Sequence, residues 1–202
     1  YSANFGWQAV LLPEAGFLLF NIPVAENTTS YQYVMNTITR AWCKFTAWNA
    51  NCWEYFKGNL YFGTNGKVCK AWSGESDNGA NIEGDAKSAF NYFGTPGKNK
   101  LFTMVRPVIV SDGSIYPAMD TNIDFEDRAP SSTPTFSGSL GAVWNVDSWD
   151  VGSWGGSLTI NKDWQSVTGH GYCAALRIKI SSNVPQVYWT ATDYQFKVGG
   201  VI

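Results

Sequence analysis

No stretch of this chain keeps a helical period of apolar residues through three turns, and that excludes most folds at once. β-Branched and aromatic residues instead alternate in short runs between Gly, Asn, Asp and Pro, the grammar of an all-β protein. Gly6–Pro13 and Phe17–Val24 read as strands around a Pro-Glu-Ala-Gly turn. Tyr31–Asn36 and Ala41–Thr46 follow, joined by "NTITR", and then Cys52–Phe56 and Leu60–Thr64. The strongest local signal is "LYFGTNGKVCKAW". There Asn65-Gly66 separates two alternating runs and predicts a hairpin with a type I′ turn.

The first third also repeats itself. "YVMNTITRAWCKF" and "LYFGTNGKVCKAW" each run strand, polar turn, strand ending near Trp, the pattern of meandering propeller blades. Residues 1–75 are therefore expected to form a propeller-like β region, and at ~40–50 residues per blade they hold one to two blades. Such a propeller is incomplete in this chain, and the opening at Tyr1 amid strand-like sequence reads as a piece of a longer polypeptide. Ser73–Asp85, "SGESDNGANIEGD", is polar and Gly-rich, so residues 76–85 are expected to be a linker.

Beyond the linker, residues 86–202 read as an antiparallel β-sandwich-like domain. Lys100–Val110 and Ser114–Phe125 flank Ser-Asp-Gly and predict a second hairpin. "GYCAALRIKIS" puts Tyr172, Ala174, Leu176, Ile178 and Ile180 on one face and Cys173, Ala175, Arg177, Lys179 and Ser181 on the other, a half-buried antiparallel strand.

Charge narrows the function classes. Only 15% of residues are charged, against 45% hydrophobic, and the net charge is −2. No basic stripe runs along the chain, so sequence-specific grip on nucleic acid is not expected, although a near-neutral lining lets DNA slide past. No run approaches the length of a membrane helix, so no membrane span is expected, and no signal peptide is visible. Cys43, Cys52, Cys69 and Cys173 form no CxxC pair. Two disulfides could be drawn in three ways, and four buried reduced thiols is the simpler expectation.

Candidate chemistry is sparse. The only histidine, His170 in "TGHGY", sits just before a predicted strand and has no G-x-S-x-G elbow to serve. "MDTNIDFEDR" offers Asp120, Asp124, Glu126 and Asp127. On a regular strand Asp120 and Asp124 stand about 13 Å apart, too far for the paired acids of a glycosidase. Asp77, Asn78, Asn81 and Glu83 surround glycines without the spacing of a calcium loop. "AVWNVDSWDVGSWGG" spaces Trp144, Trp149 and Trp154 five residues apart around Asp147 and Asp150. That period suits neither a flat strand nor a helix face, and at least two of the three rings are expected to be buried in an assembly. No residue is assigned as catalytic, cofactor-binding or metal-binding, no cofactor is expected, and the chain is not expected to be an enzyme. Exposed tryptophans that stack on sugars make a carbohydrate-binding or glycan-hydrolysing β protein the alternative.

Several stretches resemble a known family. "AWCKFTAWNANCWEYFKGNLYFGTNGKVCKAWSGESDNG" is similar to the end of the propeller region in the tail nozzle proteins of short-tailed bacteriophages. The same family is called tail tubular protein B or packaged-DNA stabilisation protein. "AKSAFNYFGTPGKNKLFTMVRPV", "VWNVDSWDVGSW" and the terminal "WQSVTGHGYCAALRIKISS…VYWTATDYQFKVGGVI" resemble the β-rich region after it. The likeness runs from about Trp42 to Ile202 and corresponds to the family's C-terminal part. The resemblance implies a structural virion component, assembled in the host cytoplasm, rather than an enzyme. It implies a homohexameric ring closing the distal tail channel and retaining packaged DNA. Such a ring meets a tail adaptor protein above and supports tail fibre or spike proteins. A full nozzle needs more blades than this chain carries.

Overall fold

In the computed structural model the described residues are 5–25, 28–137, 142, 148–152, 158–183 and 186–199. Every named element among them is a β-strand and every strand pairing is antiparallel, so the protein is all-β. The chain divides into two compact units, Tyr1–Gly74 and Glu75–Ile202.

In the first unit, β1 (Gln8–Leu12), β2 (Phe17–Ala25), β3 (Thr29–Asn36) and β4 (Trp42–Phe45) form an up-and-down sheet in chain order. A three-stranded meander of β5 (Cys52–Phe56), β6 (Asn59–Thr64) and β7 (Lys67–Ala71) follows. The two sheets share one core, with Leu12, Leu19 and Val34 from the first and Trp53, Leu60 and Ala71 from the second. The Asn65-Gly66 hairpin forms as expected, with Thr64 opposite Lys67. Its turn differs: Gly66 is left-handed at φ 71° and Asn65 is not, the signature of type II rather than type I′. The double left-handed turn occurs at Asn78-Gly79 instead (φ 51° and 86°), closing a bridge between Asp77 and Ala80.

The second unit has two sheets. One is ordered β10 (Ala118–Ile123), β13 (Ala174–Ser182), β8 (Ile82–Lys87). The other centres on β9 (Lys100–Ser111), with β14 (Val187–Val198) along one side and β11 (Thr159–Asn161) and β12 (Gln165–Gly171) sharing the other. Val105 and Ile109 of β9 meet Met119, Leu176 and Ile178 of the opposite sheet, with Ile115 and Phe136, in one core. Pro107 falls where β9 has no partner on one side, between Val105 opposite β12 and Ile109 opposite β11. A residue without an N–H is tolerated there.

Three expectations are corrected by this arrangement. Residues 76–85 are not a linker throughout: Ile82–Lys87 pairs with β13 as an edge strand. All six of its residues are exposed, which is why its sequence carries no apolar alternation. Lys100–Val110 and Ser114–Phe125 are not a hairpin, because β9 and β10 lie in different sheets. The Ser111 hydroxyl donates to the Gly113 carbonyl at 2.8 Å, turning a corner rather than closing a ladder. The cysteines are not four buried thiols either. All are unpaired, but only Cys173 is buried, while Cys43 and Cys52 are exposed.

Candidate functional site

Register alone decides which side chains share a face in β1–β4. Leu11, Leu18, Met35 and Trp42 stand opposite one another in a row across all four strands. Ala9, Phe20, Tyr33 and Lys44 make a second row, and Ile22 and Tyr31 begin a third. These rows point away from the core. Trp7 is 66% exposed, Leu11 52% and Trp42 57%. Trp42 stacks on Phe20 with centroids 5.8 Å apart. A groove of about 570 Å³ runs between Trp7, Ala9, Phe20, Ile22, Tyr33 and Trp42. The one cation of the rows, Lys44, holds its Nζ 3.4 Å from the Tyr31 ring centroid.

One inner row inverts the usual polarity, beside the apolar inner row of Val10, Leu19 and Val34. Gln8, Asn21 and Gln32 stand side by side facing the core. Gln8 brackets the Trp53 backbone, donating to its carbonyl at 2.6 Å and accepting its N–H at 2.7 Å. Asn21 Nδ2 donates to the Gly6 and Ala50 carbonyls. Gln32 Nε2 donates to Asn21 Oδ1 and to the Trp48 carbonyl. The connection from β4 to β5 passes under the sheet, and its backbone polar groups need partners there. Alternation assigns these amides to solvent, yet this row sits inside while Ala9, Phe20 and Tyr33 beside it face out. The signal available in the sequence is "FLLFNIPV" in β2, apolar on both faces apart from Asn21, as in strands covered on both sides.

The acids of "MDTNIDFEDR" are tied into the second unit's framework. The Asp124 carboxylate accepts the Tyr172 and Cys173 N–H groups at 2.7 and 3.1 Å. Burial, with Asp124 close by, pushes the Cys173 thiol up. Asp127 accepts from Lys87, Asn122 and Arg177, and Glu126 pairs with Arg128. Asp120 accepts the Thr121 N–H and the Ser131 hydroxyl. Because β10 ends at Ile123, Asp120 and Asp124 do not share a regular strand.

His170 lies within β12, opposite Leu101, rather than before a strand. Asp77 and Asn78 belong to the bridged turn, Asn81 donates to Ser181, and Glu83 pairs with Lys179. Among the described residues no three His, Cys, Asp or Glu side chains gather as a metal site. Trp149 is 68% exposed in the chain and Asp150 is also exposed; Trp144, Asp147 and Trp154 lie outside the described residues. Among the described residues no helix is long and apolar enough to cross a membrane.

No protein-family model matches the chain, and neither does any curated protein.

Proposed function

We propose that this chain is a structural subunit of a bacteriophage tail, the C-terminal part of a nozzle. In this reading it forms a homohexameric ring that closes the distal channel and retains packaged DNA. It contacts an adaptor protein and supports fibres or spikes, and it reaches the virion from the host cytoplasm. One observation carries the reading beyond sequence resemblance. The four-stranded sheet turns a nearly charge-free apolar face outward, and large exposed apolar faces mark surfaces that another protein covers. The blades of a propeller are four-stranded sheets stacked on neighbours at both faces, and here β5–β7 covers one face of β1–β4. The carboxylates held in backbone and ion-pair bonds support a structural rather than catalytic role.

Antibodies raised against residues 75–202 test the reading on tailed particles from the host that encodes the chain. Label is expected at the distal tail end. Particles that carry no label overturn it.

Among the described residues, the groove between Trp7, Tyr33 and Trp42 and the exposed Trp149 favour the carbohydrate reading. Sugar recognition also needs hydrogen-bonding groups beside the rings, and here the polar residues of the lining, Gln8 and Asn21, have their amides engaged by the Trp53, Gly6 and Ala50 backbone. Glycan-array binding abolished by Trp42→Ala would shift the assignment to that class.

A further inference from the structure

Asn-Gly occurs twice in the chain, at Asn65-Gly66 and Asn78-Gly79, and each copy stands at the tip of an exposed turn. Thr64 and Lys67 close the first turn at the end of the β6–β7 ladder. Asp77 and Ala80 close the second with an N–H···O bond each way, at 3.0 and 2.9 Å. The two differ in backbone and in what holds the glycine. Asn65 is not left-handed, while Asn78 is, at φ 51°. The Gly79 N–H donates to Ser76 Oγ at 3.2 Å. In the first turn the ladder bonds belong to Thr64 and Lys67, and the Gly66 N–H stands outside them.

We propose that Asn65 is a site of spontaneous deamidation and that Ser76 shields Asn78 from the same reaction. The Gly66 nitrogen attacks the side-chain carbonyl carbon of Asn65. A new N–C bond closes a five-membered imide, the bond from Cγ to Nδ2 breaks, and the Gly66 amide proton leaves with that nitrogen as ammonia. Water then opens the imide at either carbonyl. One opening gives aspartate, and the other gives isoaspartate, with the main chain rerouted through the side chain. The reaction needs only water, so it belongs to the two turns whatever the chain assembles into, and it does not rest on the tail reading.

A glycine follows each asparagine, so no Cβ obstructs the attack at either site, and two features of the fold rank them. The first is the nucleophile. The ring closes only when the glycine nitrogen gives up its proton, and the Ser76 hydroxyl holds that proton on Gly79. The second is torsion. Closure needs the following nitrogen nearly eclipsed with the asparagine Cβ. A left-handed residue, with ψ about +47°, holds that nitrogen almost opposite its Cβ. The first central residue of a type II turn, with ψ about +120°, holds it closer. Asn78 therefore has further to rotate than Asn65. The product at Asn65 also matters to the fold. Isoaspartate lengthens the main chain by one atom, and a two-residue tip between Thr64 and Lys67 cannot take it in register. Leu60 of β6 and Ala71 of β7 lie in the core of the first unit, so the change loosens a hairpin that the core uses.

The experiment ages the full chain in mildly alkaline buffer and follows the exchange of amide for carboxyl by mass spectrometry of tryptic peptides. The peptide of residues 58–67 carries Asn65 and that of residues 71–87 carries Asn78, and fragmentation assigns the residue. In the folded chain Asn65 is expected to react several-fold faster than Asn78, with isoaspartate among its products. In denaturant, where both turns are gone, the two rates are expected to converge. Ser76→Ala removes the shielding hydroxyl from an exposed turn. It is expected to speed Asn78 about two- to tenfold, the worth of one neutral hydrogen bond, and to leave Asn65 unchanged. An Asn65 still intact in the folded chain when the denatured chain has reacted overturns the proposal, because the hairpin would then protect it. So does an Asn78 that reacts first or equally fast when folded, since opening of the isolated Asp77–Ala80 bridge would then set the order. A Ser76→Ala protein with an unchanged Asn78 rate overturns the shielding role.

Discussion

Gly169 and Gly171 bracket His170, and their reason is steric. Both lie over Ile123: a Cβ at Gly169 would collide with Ile123 Cδ1, and one at Gly171 with Ile123 Cγ2. At Gly171 it would also stand 2.6 Å from the Asp124 carboxylate, which the Tyr172 and Cys173 N–H groups fix in place. The "GHG" triplet is thus a close crossing of β12 over the end of β10, with an exposed histidine between. Gly171→Ala is expected to lower stability by ~1–3 kcal/mol. Gly169→Ala is expected to cost less, because Cδ1 is the movable end of its side chain. Adding Ile123→Val deletes that atom, so the double variant with Gly169→Ala should be less destabilised than the sum of the two single changes. The same addition should do nothing for Gly171→Ala. Denaturant melts of the five variants and the parent check the pattern; rescue at both positions, or at neither, contradicts the steric account.

Strand β8 shows what holds an element with no buried residue. Its backbone pairs with β13, and its charges are pinned from the same strand. Arg177 donates to both oxygens of Asp85 at 2.9 and 2.8 Å and reaches Asp127 at 3.0 Å, while Lys179 pairs with Glu83. The Arg177 guanidinium holds the Asp85 carboxyl below its ordinary value. A carboxyl depressed in the folded state stabilises above its unfolded pKa of ~3.9 and loses that contribution as pH falls through the folded value. Amide exchange of Ile82–Lys87, corrected for intrinsic rate, is therefore expected to accelerate on acidification through that range. Asp85→Asn should show the fast exchange already at neutral pH, and unchanged protection in that variant would remove the ion pair from the account.

The strand also marks where sequence reading stops. Alternation locates β3, β5, β6 and β13 because each buries one set of side chains against a core, and β2 stands out as a short apolar run between turn residues. It misses β8, which buries neither set, and it pairs β9 with β10 because sheet membership depends on β13 and β14, more than 50 residues away in the chain. The outward rows of β1–β4 are hidden for a related reason. Gln8, Asn21 and Gln32 look like solvent-facing positions until the loop beneath them is known. Only the two-sided apolar run of β2 carries a local trace of that face.

Charge is distributed unevenly over the whole molecule. Four of the six ion pairs among the described residues lie on or beside β8 and β13, while the β1–β4 outer rows carry one charged side chain. With 15% charged residues in total, one unit uses charge to secure an edge and the other leaves a face apolar. The two units also keep separate cores, and the cysteines report on each: Cys69 is half-buried in the first and Cys173 buried in the second. Lys100 stands beside Cys173 in this respect. It is fully buried, and its Nζ donates to the Thr95, Lys98 and Tyr172 carbonyls at 2.7, 3.0 and 2.8 Å. Lys100→Met removes the charge-assisted donors from the Thr95, Lys98 and Tyr172 carbonyls, of which Thr95 keeps the Lys98 N–H, a loss on the order of 2–4 kcal/mol. Pulsed thiol labelling in increasing denaturant is expected to show Cys173 becoming reactive at lower denaturant in Lys100→Met, with the Cys69 midpoint unmoved. Equal shifts at both thiols would mean that the chain unfolds as one cooperative body, despite its two cores.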